Sequence, residues 1–119
     1  MLPPLLLVGL GGMLGSMLRY LVGQWLRSAA LPYGTLVVNL SGSLLIGFLM
    51  AKYGRQLMGE DWRIFLVAGF CGGFTTLSAL SWESLQFIQQ GKYGIFAGYA
   101  LITVLGGLLM AALGYNIAK

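Results

Sequence analysis

The sequence has 119 residues, of which none is histidine, one is cysteine (Cys71), three are acidic and only 8% carry charge. Without histidine, imidazole acid–base catalysis and His/Cys metal sites are excluded, and a single cysteine cannot form an internal disulfide. The acidic residues Glu60, Asp61 and Glu83 fall in a loop and near span ends, so no pair of them is set up for general acid–base work, and an enzyme is not expected. Seven basic residues give a net charge of +4, but they are single and scattered. No stripe tracks a phosphate backbone, which excludes a nucleic-acid partner. Polar surface is also scarce. With 58% hydrophobic residues and a mean hydropathy of +0.84, the chain reads as an all-α integral membrane protein rather than a soluble domain.

Apolar runs bounded by charges give one four-helix transmembrane domain over residues 1–119, with spans at about 5–26, 35–51, 64–88 and 93–118. The runs are continuous, without the period-2 alternation of a barrel strand. The second is only just long enough to cross a hydrocarbon core of about 30 Å. No basic region precedes the first run, so a cleavable signal peptide is not expected. Trp25, Tyr33, Trp62, Trp82 and Tyr93 sit near span ends as interfacial anchors in the lipid bilayer.

Four spans put the termini and the second loop on one side, with Lys52, Arg55, Arg63 and Lys119, and leave Arg19, Arg27 and Lys92 on the other. Lysines and arginines in short loops set orientation, and here they nearly balance. The expectation is dual topology, with two oppositely inserted copies paired about a two-fold axis in the membrane plane.

Nineteen glycines are many for four helices. Gly11 with Gly15, Ser43 with Gly47, Gly69 with Gly73, and Gly94 with Gly98 have the spacing that lets helices approach closely. The stretch from Gly69 to Ser78 differs, because Gly72-Gly73 and then Thr75-Thr76 interrupt the third span. They lie about 13 Å past Arg63, near the midplane. One reading is a broken helix whose freed carbonyls bind a cation; the other is a kink with both threonines bonded back to their own helix. Asn39, deep in the second span, supplies either anion-binding N–H groups or interhelical glue. Arg19 either snorkels to the interface or makes an anion vestibule electropositive. Glu83 is read as a helix-end carboxylate reaching water, Thr103 as a self-satisfied hydroxyl, and Cys71 as a small apolar residue.

Three stretches together resemble the small bacterial fluoride channels of the Fluc (CrcB) family: residues 11–20 (GGMLGSMLRY), 33–43 (YGTLVVNLSGS) and 69–76 (GFCGGFTT). The likeness covers essentially the whole chain. It implies an antiparallel dual-topology dimer with two pores in the bacterial cytoplasmic (inner) membrane, exporting fluoride passively. It also implies that the carbonyls of Gly72 and Thr75 hold a structural sodium ion at the dimer axis. Asn39, Ser78 and Thr103 would then belong to the anion pathway, and Arg19 to its electropositive approach.

The third helix of that family usually continues Phe-Ser-Thr-Phe, where this chain has Leu77-Ser78-Ala79-Leu80, and Gly107 replaces a common hydroxyl. Leu77 and Leu80 occupy the pore positions but offer no positive ring edge to an anion. Three readings follow: a self-sufficient channel with an altered pore, a conduction-impaired homodimer, or one half of a heterodimer. A small multidrug transporter is the rival from another class, opposed by the lack of any carboxylate before Glu60. The charge balance predicts that a C-terminal reporter active on only one side of the membrane will register a substantial fraction of copies, and so will its opposite-side counterpart. Strictly one-sided signal would rule out dual insertion.

Overall fold

A chain crossing hydrocarbon must close its backbone hydrogen bonds within itself, and the four Leu/Val/Ile/Ala-rich runs do so as helices. The computed structural model describes residues 2–28 and 30–119. Helix α1 spans Pro4–Trp25, opening on a proline where no amide partner is needed, and α2 spans Tyr33–Gly54. The third span is composite: α3 (Glu60–Arg63), a π-helical stretch (Ile64–Cys71), α4 (Gly72–Phe74) and α5 (Leu77–Gln89). Helix α6 spans Tyr93–Ala118. Among the described residues four segments are long and apolar enough to cross a membrane: Pro4–Trp25, Tyr33–Gly54, Glu60–Gln89 and Tyr93–Ala118.

Helix α2 outruns the apolar stretch 35–51 at both ends and has 22 residues. The first charge does not end it, because the Lys52 stem lies along its own helix with Nζ 5.4 Å from the centre of the Phe48 ring. The second loop is tied together by charge. Tyr53 donates to Glu60 Oε2 at 2.5 Å, Arg63 pairs with Glu60, and the Arg63 guanidinium lies 5.3 Å from the Tyr53 ring centre. Arg55 Nη1 donates to the Ala118 carbonyl at 3.2 Å, fixing the C-terminus and the second loop at the same end of the bundle. All five expected anchor aromatics are exposed.

Between α4 and α5 the backbone is extended: Thr75 has φ −87°, ψ 159° and Thr76 has φ −151°, ψ 119°. The Thr76 hydroxyl accepts from the Ala79 amide at 3.1 Å and so caps α5.

Packing is organised by backbone-to-backbone contact at glycine. Helix α1 lies against the π-helical stretch and α4, and α2 lies against α6. A methyl group on Gly11 would sit 2.9 Å from Phe70 N, one on Gly15 2.9 Å from Phe74 N, and one on Gly73 3.0 Å from Gly12 Cα. Across the other pair, Gly47 lies on the Ala111 peptide and Gly114 on the Leu44 carbonyl and the Phe48 amide. The pair Gly94 and Gly98 differs from the expectation of close approach, since nothing lies within 4 Å of where either side chain would be. Without a facing backbone, spacing alone brings no contact.

Gly47→Val should therefore destabilise the fold by about 1–3 kcal/mol through overpacking against Ala111, whereas Gly9→Ala, facing open space, should stay within about 0.5 kcal/mol. Tryptophan-monitored unfolding in mixed micelles compares the two.

Candidate functional site

A groove of about 640 Å³ opens on one flank of the chain, between α2, the composite third span and α6. Asn39, Gly42 and Ser43 line it from α2, and Thr103 and Gly107 from α6. Gly72, Thr75, Thr76, Leu77 and Leu80 line it from the third span. Six residues singled out from the sequence, namely Asn39, Gly72, Thr75, Leu77, Leu80 and Thr103, thus share one concave surface. Leu77 is 75% exposed and Leu80 half-buried. Ser78 is exposed and not part of the lining, but its hydroxyl lies 3.1 Å from that of Thr76, which is. Arg19 is not in the groove wall. It sits on α1, behind the break, half-buried.

The break determines which backbone groups are free. In a continuing helix the amides of Thr75, Thr76, Leu77, Ser78 and Ala79 would bond the carbonyls of Cys71, Gly72, Gly73, Phe74 and Thr75. Only the first bond forms, at 3.0 Å, and the Thr75 hydroxyl joins it on the Cys71 carbonyl at 2.9 Å. The Thr76 amide goes instead to Asn39 Oδ1 at 2.8 Å, and Asn39 Nδ2 donates to the Thr76 carbonyl at 3.1 Å. The Ala79 amide is taken by the Thr76 hydroxyl. Arg19 Nε donates to the Gly73 carbonyl at 3.0 Å.

Asn39 therefore acts as the interhelical glue of the second sequence reading, joining α2 to the third span. Its amide matches the peptide of Thr76 edge to edge, satisfying both backbone groups of an extended residue inside the bundle, and one Nδ2 proton remains. Thr103 donates to the Tyr99 carbonyl of its own helix at 2.7 Å, and Thr75 also bonds back to its own helix. Thr76 does not; it caps the next one.

The sodium implied by the family resemblance can be tested against this arrangement. Gly72 and Thr75 have both lost their helical amide donors to other acceptors, so both carbonyls are free for a hard cation that prefers oxygen. The donor set fits. Among the described residues no cluster of His, Cys, Asp or Glu offers a side-chain metal site.

One polar cluster escaped the sequence reading. Glu83 does not end its helix facing water: Thr35 donates to its Oε2 at 3.0 Å and Tyr99 to its Oε1 at 2.8 Å. Thr35 lies one turn before Asn39 on α2, and Tyr99 one turn before Thr103 on α6. That shared i, i+4 spacing carries polar groups along the same faces, and it was the available signal.

Comparison with known proteins adds a separate line. The family described as "CrcB-like protein, Camphor Resistance (CrcB)" matches residues 6–115. A protein of Leptospira interrogans named fluoride-specific ion channel FluC is 44% identical over 119 residues, covering 97% of this chain and 94% of its own length. Namesakes from Marinobacter nauticus and Anaeromyxobacter dehalogenans are 43% and 48% identical, covering 92% and 90% of this chain and 90% and 88% of their own lengths.

Asn39→Ala removes both partners of the Thr76 peptide. The expected cost is on the order of 1–3 kcal/mol, because a half-buried amide and carbonyl are left unpaired. Backbone hydrogen exchange should accelerate at Thr76 before it does elsewhere in the bundle, and unchanged exchange there would contradict the pairing.

Proposed function

Because the chain belongs to the CrcB family, we infer that it is a multi-pass membrane protein acting as a fluoride-specific ion channel. The observation that carries this at the level of the site is the groove, where Asn39, Thr76 and Thr103 meet the free carbonyls of the break on one open flank. Fluoride is small and strongly hydrated, so a path for it must replace water with N–H and O–H donors at each step. Binding must also stay weak and shared between sites, or the ion would not leave. Transport is passive. Its direction follows the gradient, which for a cell accumulating fluoride means export across the bacterial cytoplasmic membrane.

Two copies complete the pathway. An extended segment at membrane depth is tolerated only where protein covers it or water lines it, and one protomer leaves this flank open. An antiparallel partner would place the two breaks face to face, both contributing Gly72 and Thr75 carbonyls to one sodium ion. When bound, that ion neutralises the converging carbonyl dipoles and locks the interface. Arg19, Lys92 and Arg27 add positive potential at the approaches.

A second reading rests on a specific observation. Leu77 is 75% exposed and faces the groove beside Leu80, so the wall has aliphatic carbon where the family resemblance implies ring edges. A heterodimer whose other chain supplies those rings is the alternative, as is a homodimer impaired in conduction. Family membership leaves the small multidrug transporter without support.

Liposomes containing this chain alone should release fluoride rapidly while retaining chloride, as read by a fluoride electrode. Leu77→Phe with Leu80→Phe should raise the rate further. No release from folded, dimeric protein would overturn conduction by this chain alone and leave the mixed pair and the conduction-impaired homodimer.

A further inference from the structure

Helix α1 carries Gly11, Gly15 and Arg19 at successive i+4 positions, on one stripe of its surface. The two glycines bring the α1 backbone against the π-helical stretch and α4, where side chains larger than hydrogen would collide with Phe70 and Phe74 backbone atoms. The third position of the stripe then lies over the C-terminal end of α4. There Arg19 Nε meets the Gly73 carbonyl at 3.0 Å.

That carbonyl lost its helical partner when Thr75 and Thr76 became extended. It also lies at the negative end of a half-helix, where a cation is favoured. An arginine held there by packing differs from one snorkelling to the interface, because its hydrogen bond ends on backbone rather than in water.

We propose that Arg19 is a positioning residue for the helix break: by occupying the Gly73 carbonyl it fixes the end of α4 and takes that carbonyl out of the set open to a cation, which keeps Gly72 and Thr75 among those that remain. The division of labour is then complete within one chain. Cys71 O takes Thr75, Gly73 O takes Arg19, the Thr76 N–H and C=O take Asn39, and the Gly72, Phe74 and Thr75 carbonyls stay open. The part concerning the cation rests on the sodium-bridged dimer proposed above; the part concerning the break does not.

The test uses the full chain and the variants Arg19→Met, Arg19→Gln and Arg19→Lys. Two readouts other than flux are followed: amide hydrogen exchange across residues 72–79, and the sodium concentration at which half of the protein is dimeric. Arg19→Met should speed exchange at Thr76 and Leu77 by about tenfold or more through local opening of the break. It should also raise the half-maximal sodium concentration several-fold. Arg19→Lys, whose ammonium still reaches a carbonyl, should recover part of both, and Arg19→Gln, a neutral donor, part of the exchange protection.

If the arginine served only as vestibule charge, Arg19→Met and Arg19→Gln would slow fluoride efflux equally, with exchange and sodium dependence as in the parent. That result overturns the proposal. Should Arg19→Met not fold, the exchange profiles of the Gln and Lys variants decide between the same two outcomes. A parent protein whose dimer ignores sodium would refute the sodium bridge, while the exchange measurement still judges Arg19.

Discussion

Backbone amides and carbonyls have no water to bond at membrane depth, and each one left bare costs several kcal/mol. The rest of this structure depends on how that constraint is met at Thr75 and Thr76, the two residues that leave the helical conformation. A soluble protein would hydrate such a break. Here three repairs come from side chains of the same chain: the Thr76 hydroxyl caps α5, the Asn39 amide pairs with the Thr76 N–H and C=O, and Arg19 covers the Gly73 carbonyl. The repairs come from three different spans, so α1 and α2 must be held in register with the third span for the break to exist.

Glycine provides that register. Without a hydrophobic force between helices, close backbone approach and dispersion do the work, and bulk at the contact is what prevents it. Gly11 and Gly15 set α1 on the third span, while Gly47 and Gly114 set α2 on α6. Gly42 completes the arrangement from α2, since a methyl group there would meet the Thr75 and Phe74 side chains. The glycines and the polar side chains are therefore one system, in which the former fix distances and the latter use them.

Much of this was legible in the sequence. Hydropathy and charge placement gave four spans, because the hydrocarbon core imposes a length that composition must match. The glycines and threonines of 69–78 marked the irregular stretch, since few other residue types tolerate unwinding. What composition could not give was partnership. Asn39 was read as facing either an anion or a neighbouring helix; it bonds the neighbouring third span, and only the tertiary register decides that the partner is the Thr76 backbone. Glu83 was assigned to water because Thr35 and Tyr99 come from distant parts of the chain. Gly94 and Gly98 had the right spacing and no contact, for the same reason. Arg19 lay correctly near a span end, but its acceptor exists only because the third span breaks beside it.

The same hydrogen bonds bear on the proposed dimer. Asn39 spends its Oδ1 and one N–H on Thr76, and Thr103 spends its hydroxyl hydrogen on Tyr99. Leu77 and Leu80 supply carbon. The groove of a single protomer thus faces a dehydrating anion with one remaining Asn39 N–H, the Thr76 and Ser43 hydroxyls and little else, far short of a hydration shell. In the proposed dimer a facing copy would add donors across the gap and exclude bulk water, and low dielectric would strengthen each hydrogen bond that remains. The groups consumed in holding the break open are the groups a lone chain would need for the ion, which is the physical argument for the proposed second wall.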